Sequence, residues 1–361
     1  MKVGIVTLAH NNDNYGGTLQ AIALCSVLQQ YGHTPFLANS ASPRRPLQLS
    51  RLLEHPIREC ARARRFNQFV PFWQRHFLFD PCGHRNTLSN FLDQHSHADA
   101  YICGSDQIWS SQMIKDPISR RWAFLDFGPS SMRRIAYAPS FGTPSLSESF
   151  LEYINPLVSH FHALSTREES GTAILRRLGM NASWVVDPVF LPGLTFWEAI
   201  ADEYQKPVNG KTLFYSAYRW PTILDAPKTL RKLARQEHLD LKVPCYEKPL
   251  DFIGFNMLAD PAAWLSYIRS SSFIVTNSFH TMAFCIIFRR PFAVLALGGK
   301  HAAAFDRMQS IAKRLKLSSR LVETEEDLLQ AYYTPIDWDV VYQQLTPWIQ
   351  DSKRFLERSL S

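Results

Sequence analysis

Short apolar runs, each followed by a polar turn and then by a helix-like pattern, recur along the chain. The first apolar segment, 2–9, leads through the loop 10–17 into a helical pattern from Thr18 to Tyr31, which Gly32 would end. The apolar segment 33–38 completes a strand–helix–strand succession, which predicts a parallel sheet. Further strands are predicted from 99, from 134, from 163 and at 185–192, and helices at 146–158 and 170–178.

The second half of the chain repeats this pattern. Its predicted strands are 212–219, 241–244, 273–276 and 291–297, with helices ending near 237, starting after Asp260, and spanning 281–288 and 302–315. A length of 361 residues exceeds one comfortable core and predicts two domains. We expect an α/β fold of two Rossmann-like, doubly wound domains facing a cleft. The domains are 1–192 and 193–345, and a C-terminal helix at 346–361 packs back on the first.

One histidine stands at a strand–turn–helix junction. The buried strand 273–276 ends where Asn277 and Ser278 supply turn and N-cap chemistry, and an apolar helix follows. His280 would therefore lie at the carboxyl end of a strand and the amino end of a helix. Open α/β sheets bind ligands there, and the helix amides favour an anion. Two interpretations stay open at this point, a ligand-binding histidine and one that only completes the helix start.

Other polar residues follow the strands of the first half. Gly16 and Gly17 allow a close approach to a ligand at a helix start, although many structural turns also carry such a pair. Asp106 and Gln107 follow the strand that starts at 99, and the carboxyl end of a strand faces the ligand crevice. Arg167 ends the strand from 163, so it is either a phosphate or carboxylate clamp or a surface partner of Glu168 or Glu169.

The formal charge of +7 is concentrated in the segment 44–75, which has eight arginines against two glutamates. With its interleaved Phe and Trp residues, this segment either docks on an anionic membrane surface or a phosphate-bearing acceptor, or forms a solvated helix face. No recognition motif accompanies the charge, which disfavours nucleic acid. The cysteines and histidines lack metal-ligand spacing, so no metal or cofactor is expected. The short N-terminal apolar run and the absence of a membrane-length segment predict a cytoplasmic protein.

Six sequence blocks together resemble the polysaccharide pyruvyl transferase family. They are Asn14-Tyr-Gly-Gly-Thr-Leu-Gln20, Gly104-Ser-Asp-Gln-Ile-Trp109, Tyr137-Ala-Pro-Ser-Phe-Gly142, Arg167-Glu-Glu-Ser170, Val186-Asp-Pro188 and Thr276-Asn-Ser-Phe-His280 with Arg290-Pro-Phe. The blocks occur in the family's order across nearly the whole chain. The resemblance implies a GT-B-like fold and transfer of the enolpyruvyl unit of phosphoenolpyruvate, a co-substrate, to a glycan sugar. The acceptor would be lipid-linked or polymeric, and the enzyme would work at the cytoplasmic face of the membrane without a metal.

The resemblance also implies roles for single residues. It makes domain 1–192 the acceptor side and domain 193–345 the donor side, with His280 either as the acid that protonates phosphoenolpyruvate or as a partner of its phosphate, and Asp106 as a base. Donor binding would involve Arg167, Arg307, Ser278, Asn14, Gly16 and Gly17. Acceptor binding would involve Gln107 and, in the basic segment, Arg62 and Arg65.

The chain departs from part of the family at the turn before His280. Some branches carry an arginine where this chain has Ser278, so Arg307, Arg219 or Lys300 would have to supply the missing cation. Two other functions are considered, a nucleotide-sugar glycosyltransferase of the GT-B kind and a non-catalytic glycan-binding relative. No acidic ribose clamp is evident near 295–306, which disfavours the first, and the presence of both Arg167 and His280 disfavours the second.

Overall fold

The computed structural model describes residues 1–9, 13–38, 56–79, 98–217, 224–244, 256–257, 259–298 and 305–361. Of residues 56–59, 61, 62 and 256 it describes only the backbone. Within these ranges the chain forms two compact units. The first unit takes its residues from 1–43, 76–192 and 344–361, and the second from 44–75 and 193–343.

The first unit contains a six-stranded sheet. Its strands are β1 (Lys2–Val6), β2 (Thr34–Leu37), β3 (Ala100–Cys103), β4 (Arg133–Ala136), β5 (Ala163–Thr166) and β6 (Ser183–Trp184). All neighbouring strands are parallel, in the order β2-β1-β3-β4-β5-β6. The helices between them are Tyr15–Gln30, Pro117–Ala123, Glu148–Val158 and Glu169–Arg177, and the 3₁₀ turn Pro188–Phe190 follows β6. Strand residues such as Ile5, Ile102 and Ile135 are buried, as expected for a parallel sheet covered on both faces.

Two boundaries in the first unit differ from the sequence-based expectation. The first helix begins at Tyr15 rather than Thr18, because the Asn14 side chain caps it. The predicted last strand, 185–192, is wrong. Only Ser183 and Trp184 pair with β5, and Asp187 then turns the chain by accepting a hydrogen bond from the Val189 amide, which starts the 3₁₀ turn.

The second unit has its own six-stranded sheet. Its strands are β7 (Thr212–Ser216), β8 (Asp240–Pro244), β9 (Asn256–Met257), β10 (Phe273–Thr276), β11 (Phe292–Leu295) and β12 (Leu321–Val322). The order is β12-β11-β10-β7-β8-β9, again parallel between neighbours. The helices are Leu194–Ala201, Ala226–Gln236, Pro261–Ser270, Phe279–Ile287, Asp306–Arg314, Glu325–Tyr333 and the 3₁₀ turn Ser318–Arg320. The predicted α/β class with two doubly wound halves is confirmed.

The arginine-rich segment belongs to the second unit, not to the first domain in which the sequence analysis included it. Its described part is the helix Pro56–His76. Phe69, Phe72 and Trp73 on this helix are buried, and Arg75 pairs with Glu203 of the second unit at 3.0 Å. The aromatic side chains therefore serve packing and are not available to enter a membrane. Residues 44–55, which include Arg44, Arg45 and Arg51, lie outside the described ranges.

The last helix, Trp338–Leu360, contributes to both units, with the division after Gln343. In the first unit its Trp348 donates a hydrogen bond to the Trp184 carbonyl at 2.9 Å, and its Ser352 accepts one from the Val186 amide at 3.0 Å. These bonds support the segment that carries Asp187. Among the helices that the described ranges contain, none has the length and apolarity needed to cross a membrane.

Candidate functional site

Each sheet has one position where the chain reverses the direction in which it adds strands. In the first sheet this position lies between β1 and β3, and in the second between β7 and β10. Parallel α/β sheets bind ligands beyond the carboxyl ends of the two strands at such a switch point. The residues that follow these four strands are therefore the candidate site residues of each unit.

A capped helix start follows β1. The Asn14 side-chain oxygen accepts hydrogen bonds from the amides of Gly16 and Gly17, at 2.9 and 3.3 Å. The space around Gly17 is narrow, because a Cβ there would make a tight contact of 3.3 Å with the Leu8 carbonyl oxygen and an ordinary one of 3.7 Å with Asp106 Oδ2. These residues bring the helix close to the turn after β3. The two glycine amides already donate hydrogen bonds to the Asn14 side chain.

The turn after β3 holds Asp106 in an uncommon backbone conformation. Its φ of 72° lies in the left-handed region, which non-glycine residues rarely adopt. The conformation is stabilised because Asp106 Oδ1 accepts from the Gln107 amide at 2.9 Å and the Asp106 carbonyl accepts from the Ser140 amide at 2.9 Å. Strained residues of this kind concentrate at functional sites. Asp106 and Gln107 thus lie together at the first switch point.

Arg167 follows β5 and is buried among three carboxylates. Its Nη1 donates to Asp187 Oδ2 at 2.9 Å, its Nε lies 3.6 Å from Glu168 Oε1, and its Nη2 lies 3.8 Å from Asp106 Oδ1. Burial alone would lower the pKa of the Arg167 guanidinium, but Glu168, Asp187 and Asp106 together outweigh it and raise that pKa. Glu168, one of the two partners expected from the sequence, therefore does contact Arg167, but the expected surface location is wrong, since the arginine is an interior, ionised residue.

The second switch point is formed by hydroxyl groups. The Thr276 hydroxyl donates to the Ser216 carbonyl at 2.5 Å, and the Ser216 and Thr281 hydroxyls lie 3.2 Å apart. The Trp264 indole N–H donates to the Ser216 hydroxyl at 2.9 Å. This network joins the end of β7 to the end of β10 and to the helix that follows.

His280 lies in the first turn of the helix Phe279–Ile287, directly after β10. His280 is only 6% exposed, so it is mostly enclosed at the switch point. Ser278 is the N-cap, as predicted, and its hydroxyl accepts from the Thr281 amide at 3.5 Å. The sequence-based position of His280 at the junction of strand and helix is confirmed, whereas its role in donor chemistry stays a prediction.

The cations considered as replacements for the missing arginine differ in what can be said of them. Arg307 lies in the first turn of the helix Asp306–Arg314, which follows β11, the neighbour of β10. It is half-buried. Arg219 and Lys300 lie outside the described residues. Of the two basic residues assigned to the acceptor, Arg65 is half-buried on the helix Pro56–His76, and the Arg62 side chain is not described.

Three residues of the site, Ser105, Asp187 and Ser216, were not predicted from the sequence. Asp187 accepts from both Ser105 and Arg167, and Ser216 connects the two strands of the second switch point. The sequence feature that could have indicated two of them is the family resemblance, because Asp187 lies in the block Val186-Asp-Pro188 and Ser105 in the block that starts at Gly104. Neither block by itself indicates which side chains meet.

Solved structures that resemble this chain define its fold class. The UDP-GlcNAc 2-epimerase of Neisseria meningitidis is 13% identical with a TM-score of 0.55, covering 100% of this chain and 99% of that one. The corresponding enzyme of Rickettsia bellii is also 13% identical with a TM-score of 0.55, covering 100% and 96%. At such identity the likeness concerns the fold alone, and it confirms the predicted GT-B-like class.

The family follows from the sequence. The profile of the family described as polysaccharide pyruvyl transferase matches residues 14–298, most of the 361 residues. The chain belongs to the polysaccharide pyruvyl transferase family and is a transferase whose family implies a glycan acceptor. A search of curated protein sequences finds no match.

Proposed function

We propose that the protein transfers the enolpyruvyl group of phosphoenolpyruvate to a hydroxyl of a cell-surface glycan, closes a pyruvate ketal and releases phosphate. The observation that carries this proposal is the position of His280. It lies within the family match, is nearly buried, and stands at the start of a capped helix beside the switch point of the second sheet. Helix amides and a histidine together suit an anionic donor that must be protonated.

The chemistry assigns a proton to each partner. His280 gives a proton to the C3 methylene of the donor, which leaves an oxocarbenium-like C2. A sugar hydroxyl adds to C2 and gives up its proton to Asp106, and the C2–O bond to phosphate then breaks. A second hydroxyl of the same sugar adds to C2 and closes the ketal. One proton is taken up at C3 and two are lost from the hydroxyls, and hydrogen phosphate carries away the difference.

Electrostatics supports the donor in the second unit and the acceptor in the first. Phosphoenolpyruvate carries a phosphate and a carboxylate and needs cations or helix amides around it. Arg167 with Asp106, Glu168 and Asp187 has one positive against three negative charges, a poor environment for such a donor. Carboxylate and amide oxygens suit sugar hydroxyls instead, so we assign Asp106 and Gln107 to the acceptor and Ser278, His280 and Arg307 to the donor.

The contacts of Arg167, Asn14, Gly16 and Gly17 support a donor-binding role less well than the positions of Ser278, His280 and Arg307 do. The amides of Gly16 and Gly17 already donate to Asn14, and three carboxylates surround Arg167. We propose that these residues shape the acceptor side of the site. The acceptor itself is proposed to be lipid-linked, which would bring the enzyme to the cytoplasmic membrane surface.

The test uses the purified protein, phosphoenolpyruvate and a lipid-linked glycan fraction. We expect phosphate release that depends on the glycan, a glycan that gains one pyruvate ketal by mass spectrometry, and no loss of rate with a metal chelator. His280→Ala should lower the rate about 10²–10⁴-fold. His162→Ala is the matched control, because this histidine is exposed and starts no helix at a switch point. An unchanged rate in His280→Ala would refute the mechanism, and nucleotide release from a sugar nucleotide would favour a glycosyltransferase.

Membrane contact through the basic helix has its own test. Because the aromatic side chains of the helix Pro56–His76 are buried, we propose a purely electrostatic contact made by exposed arginines such as Arg64. Replacing Arg58, Arg62, Arg64 and Arg65 by glutamine should weaken binding to anionic vesicles at low salt, and little binding should remain at high salt even for the wild type. If the wild type and the glutamine variant sediment equally with the vesicles at every salt concentration, this helix face is only solvated and does not bind the membrane.

A further inference from the structure

Asp187 is the most deeply buried residue of the charged cluster in which Arg167 contacts Asp106. Its side chain is 0% exposed, and every oxygen has a partner within the chain. Oδ2 accepts from the Ser105 hydroxyl at 2.7 Å and from Arg167 Nη1 at 2.9 Å, while Oδ1 accepts from the Val189 amide at 3.1 Å. A substrate therefore cannot contact this carboxylate. Its hydrogen bonds instead connect the residues that follow β3, β5 and β6.

Arg167 connects Asp187 to Asp106, because its guanidinium contacts both carboxylates. Its three edges meet different carboxylates, with Nη1 at Asp187, Nε at Glu168 and Nη2 at 3.8 Å from Asp106 Oδ1. Asp187 also holds Ser105, the residue immediately before Asp106. Asp106 is thus held twice through the same buried carboxylate, once through its backbone and once through its charged neighbour.

Exposure separates the residue that can meet a substrate from those that cannot. The Arg167 and Asp187 side chains are 1% and 0% exposed, and that of Glu168 is 4% exposed. The Asp106 side chain is 11% exposed, and its Oδ2 lies near the helix start at Gly17. Only the outermost member of the cluster is placed to contact a sugar hydroxyl.

We propose that Asp187 and Arg167 are positioning residues that hold the Asp106 carboxylate in place for the acceptor hydroxyl. This inference rests on the proposed pyruvyl transfer, and it replaces the donor clamp predicted for Arg167. A purely structural ion pair would need one carboxylate beside the arginine. Two further carboxylates add like-charge repulsion in a buried place, a cost that proteins usually retain where function requires it.

The main test is Asp187→Asn, which keeps the shape and removes one negative charge. We expect kcat to fall about 10–100-fold while the KM for phosphoenolpyruvate changes less than about threefold, because the donor is not bound here. Arg167 contacts Asp106 directly and joins it to two other titratable groups, Glu168 after β5 and Asp187 after β6, while Tyr137 after β4 lies near Asp187. With one negative charge fewer, a base here loses its proton more readily, and the acid limb of the pH–rate profile should move about one unit to lower pH.

Matched variants keep the test independent of folding. Ser105→Ala removes one contact of Asp187 but no charge, so it should lower kcat less than about tenfold and leave the pH profile in place. Combining Asp187→Asn with Asp106→Asn should cost little more than Asp106→Asn alone, because both act through one carboxylate. A crystal structure of Asp187→Asn should show Asp106 displaced from Arg167, a result that needs no activity.

Several outcomes would overturn the inference. A higher KM for phosphoenolpyruvate at unchanged kcat would make Arg167 a donor clamp after all. Asp106 in its wild-type place in the Asp187→Asn crystal structure would equally contradict the positioning role. If Asp187→Asn keeps full activity while His280→Ala is inactive, the positioning role fails and the proposed function stands. If the wild type transfers no pyruvyl group, the proposed function fails, and the crystal structure alone decides whether Asp187 positions Asp106.

Discussion

The two switch points use the same backbone arrangement but opposite side-chain chemistry. At the first, three carboxylates from three different turns meet around Arg167. At the second, the described hydrogen bonds join neutral groups, namely the hydroxyls of Ser216, Thr276 and Thr281, and His280 lies beside Thr281 in the first turn of the same helix. The topology of a parallel sheet provides the location, whereas the side chains decide what each location binds.

The difference also separates stability from function. A buried cluster of charges is held together by its own members, so the loss of one leaves the others unpaired in a medium of low polarity. A network of hydroxyls loses only one modest hydrogen bond when a member is removed. Substitutions at the first switch point should therefore disturb folding and activity together, and those at the second mainly activity.

The largest expected effect on stability is that of Arg167→Met. The variant keeps the apolar stem but leaves Asp187 and Glu168 buried without their cation, which should cost about 3–5 kcal/mol of unfolding free energy. Arg177→Met is the matched control, because Arg177 pairs with Glu148 on the surface and its loss should cost less than about 1 kcal/mol. Urea unfolding followed by circular dichroism measures both.

Thr281→Val provides the corresponding measurement at the second switch point. It removes a hydroxyl that lies 3.2 Å from that of Ser216, and should cost about 1–2 kcal/mol. If Arg167→Met and Thr281→Val lowered the unfolding free energy equally, the contrast between a charged and a neutral switch point would have no energetic basis.

A smaller effect is expected at Arg307, on substrate binding rather than on folding. If the donor binds in the second unit, Arg307→Ala removes one cation near its phosphate or carboxylate and should raise the KM for phosphoenolpyruvate about tenfold, with little change in kcat. Lys313→Ala is the control, since Lys313 is exposed in the last turn of the same helix. An effect on the glycan KM alone would assign Arg307 to the acceptor.

The elements were predictable because their signals are local. Apolar runs gave the strands, and Asp260 with Pro261 gave a helix start that the structure contains unchanged. The segment 185–192 misled, since β-branched and apolar residues favour a strand, but Asp187 and Pro188 form a turn there. A side-chain cap within two residues decided the local structure against the apolar pattern.

The partners of the charged residues could not be predicted in the same way. Arg167 and Asp187 are 20 residues apart, and Ser105 and Asp187 are 82 apart. Their meeting depends on the order of the strands, which brings the carboxyl ends of β3, β5 and β6 to one edge of the sheet. Sequence alone left Arg167 either as a phosphate or carboxylate clamp or as a surface partner of Glu168 or Glu169, and it gave Glu168 but neither Asp187 nor Asp106 as a partner.

The smallest expected effect concerns Tyr137, which lies beside the charged cluster. Its hydroxyl donates to the Val186 carbonyl at 3.2 Å, and burial together with the nearby Asp187 charge raises its pKa well above the ordinary value. Tyr137→Phe should therefore cost about 1 kcal/mol of unfolding free energy at pH 7.

The stabilisation by Tyr137 should also depend on pH. Because the pKa of Tyr137 is higher in the folded than in the unfolded protein, its stabilising contribution is fully present below the unfolded pKa of about 10 and is lost as the pH rises above that value. By pH 11 the wild type should have lost about 1.4 kcal/mol through this group, so that the difference between the two proteins vanishes or reverses. Tyr153→Phe, at an exposed tyrosine, should show no such crossing. A constant difference for Tyr137→Phe from pH 7 to 11 would mean that burial and the nearby Asp187 charge do not raise the pKa of this hydroxyl.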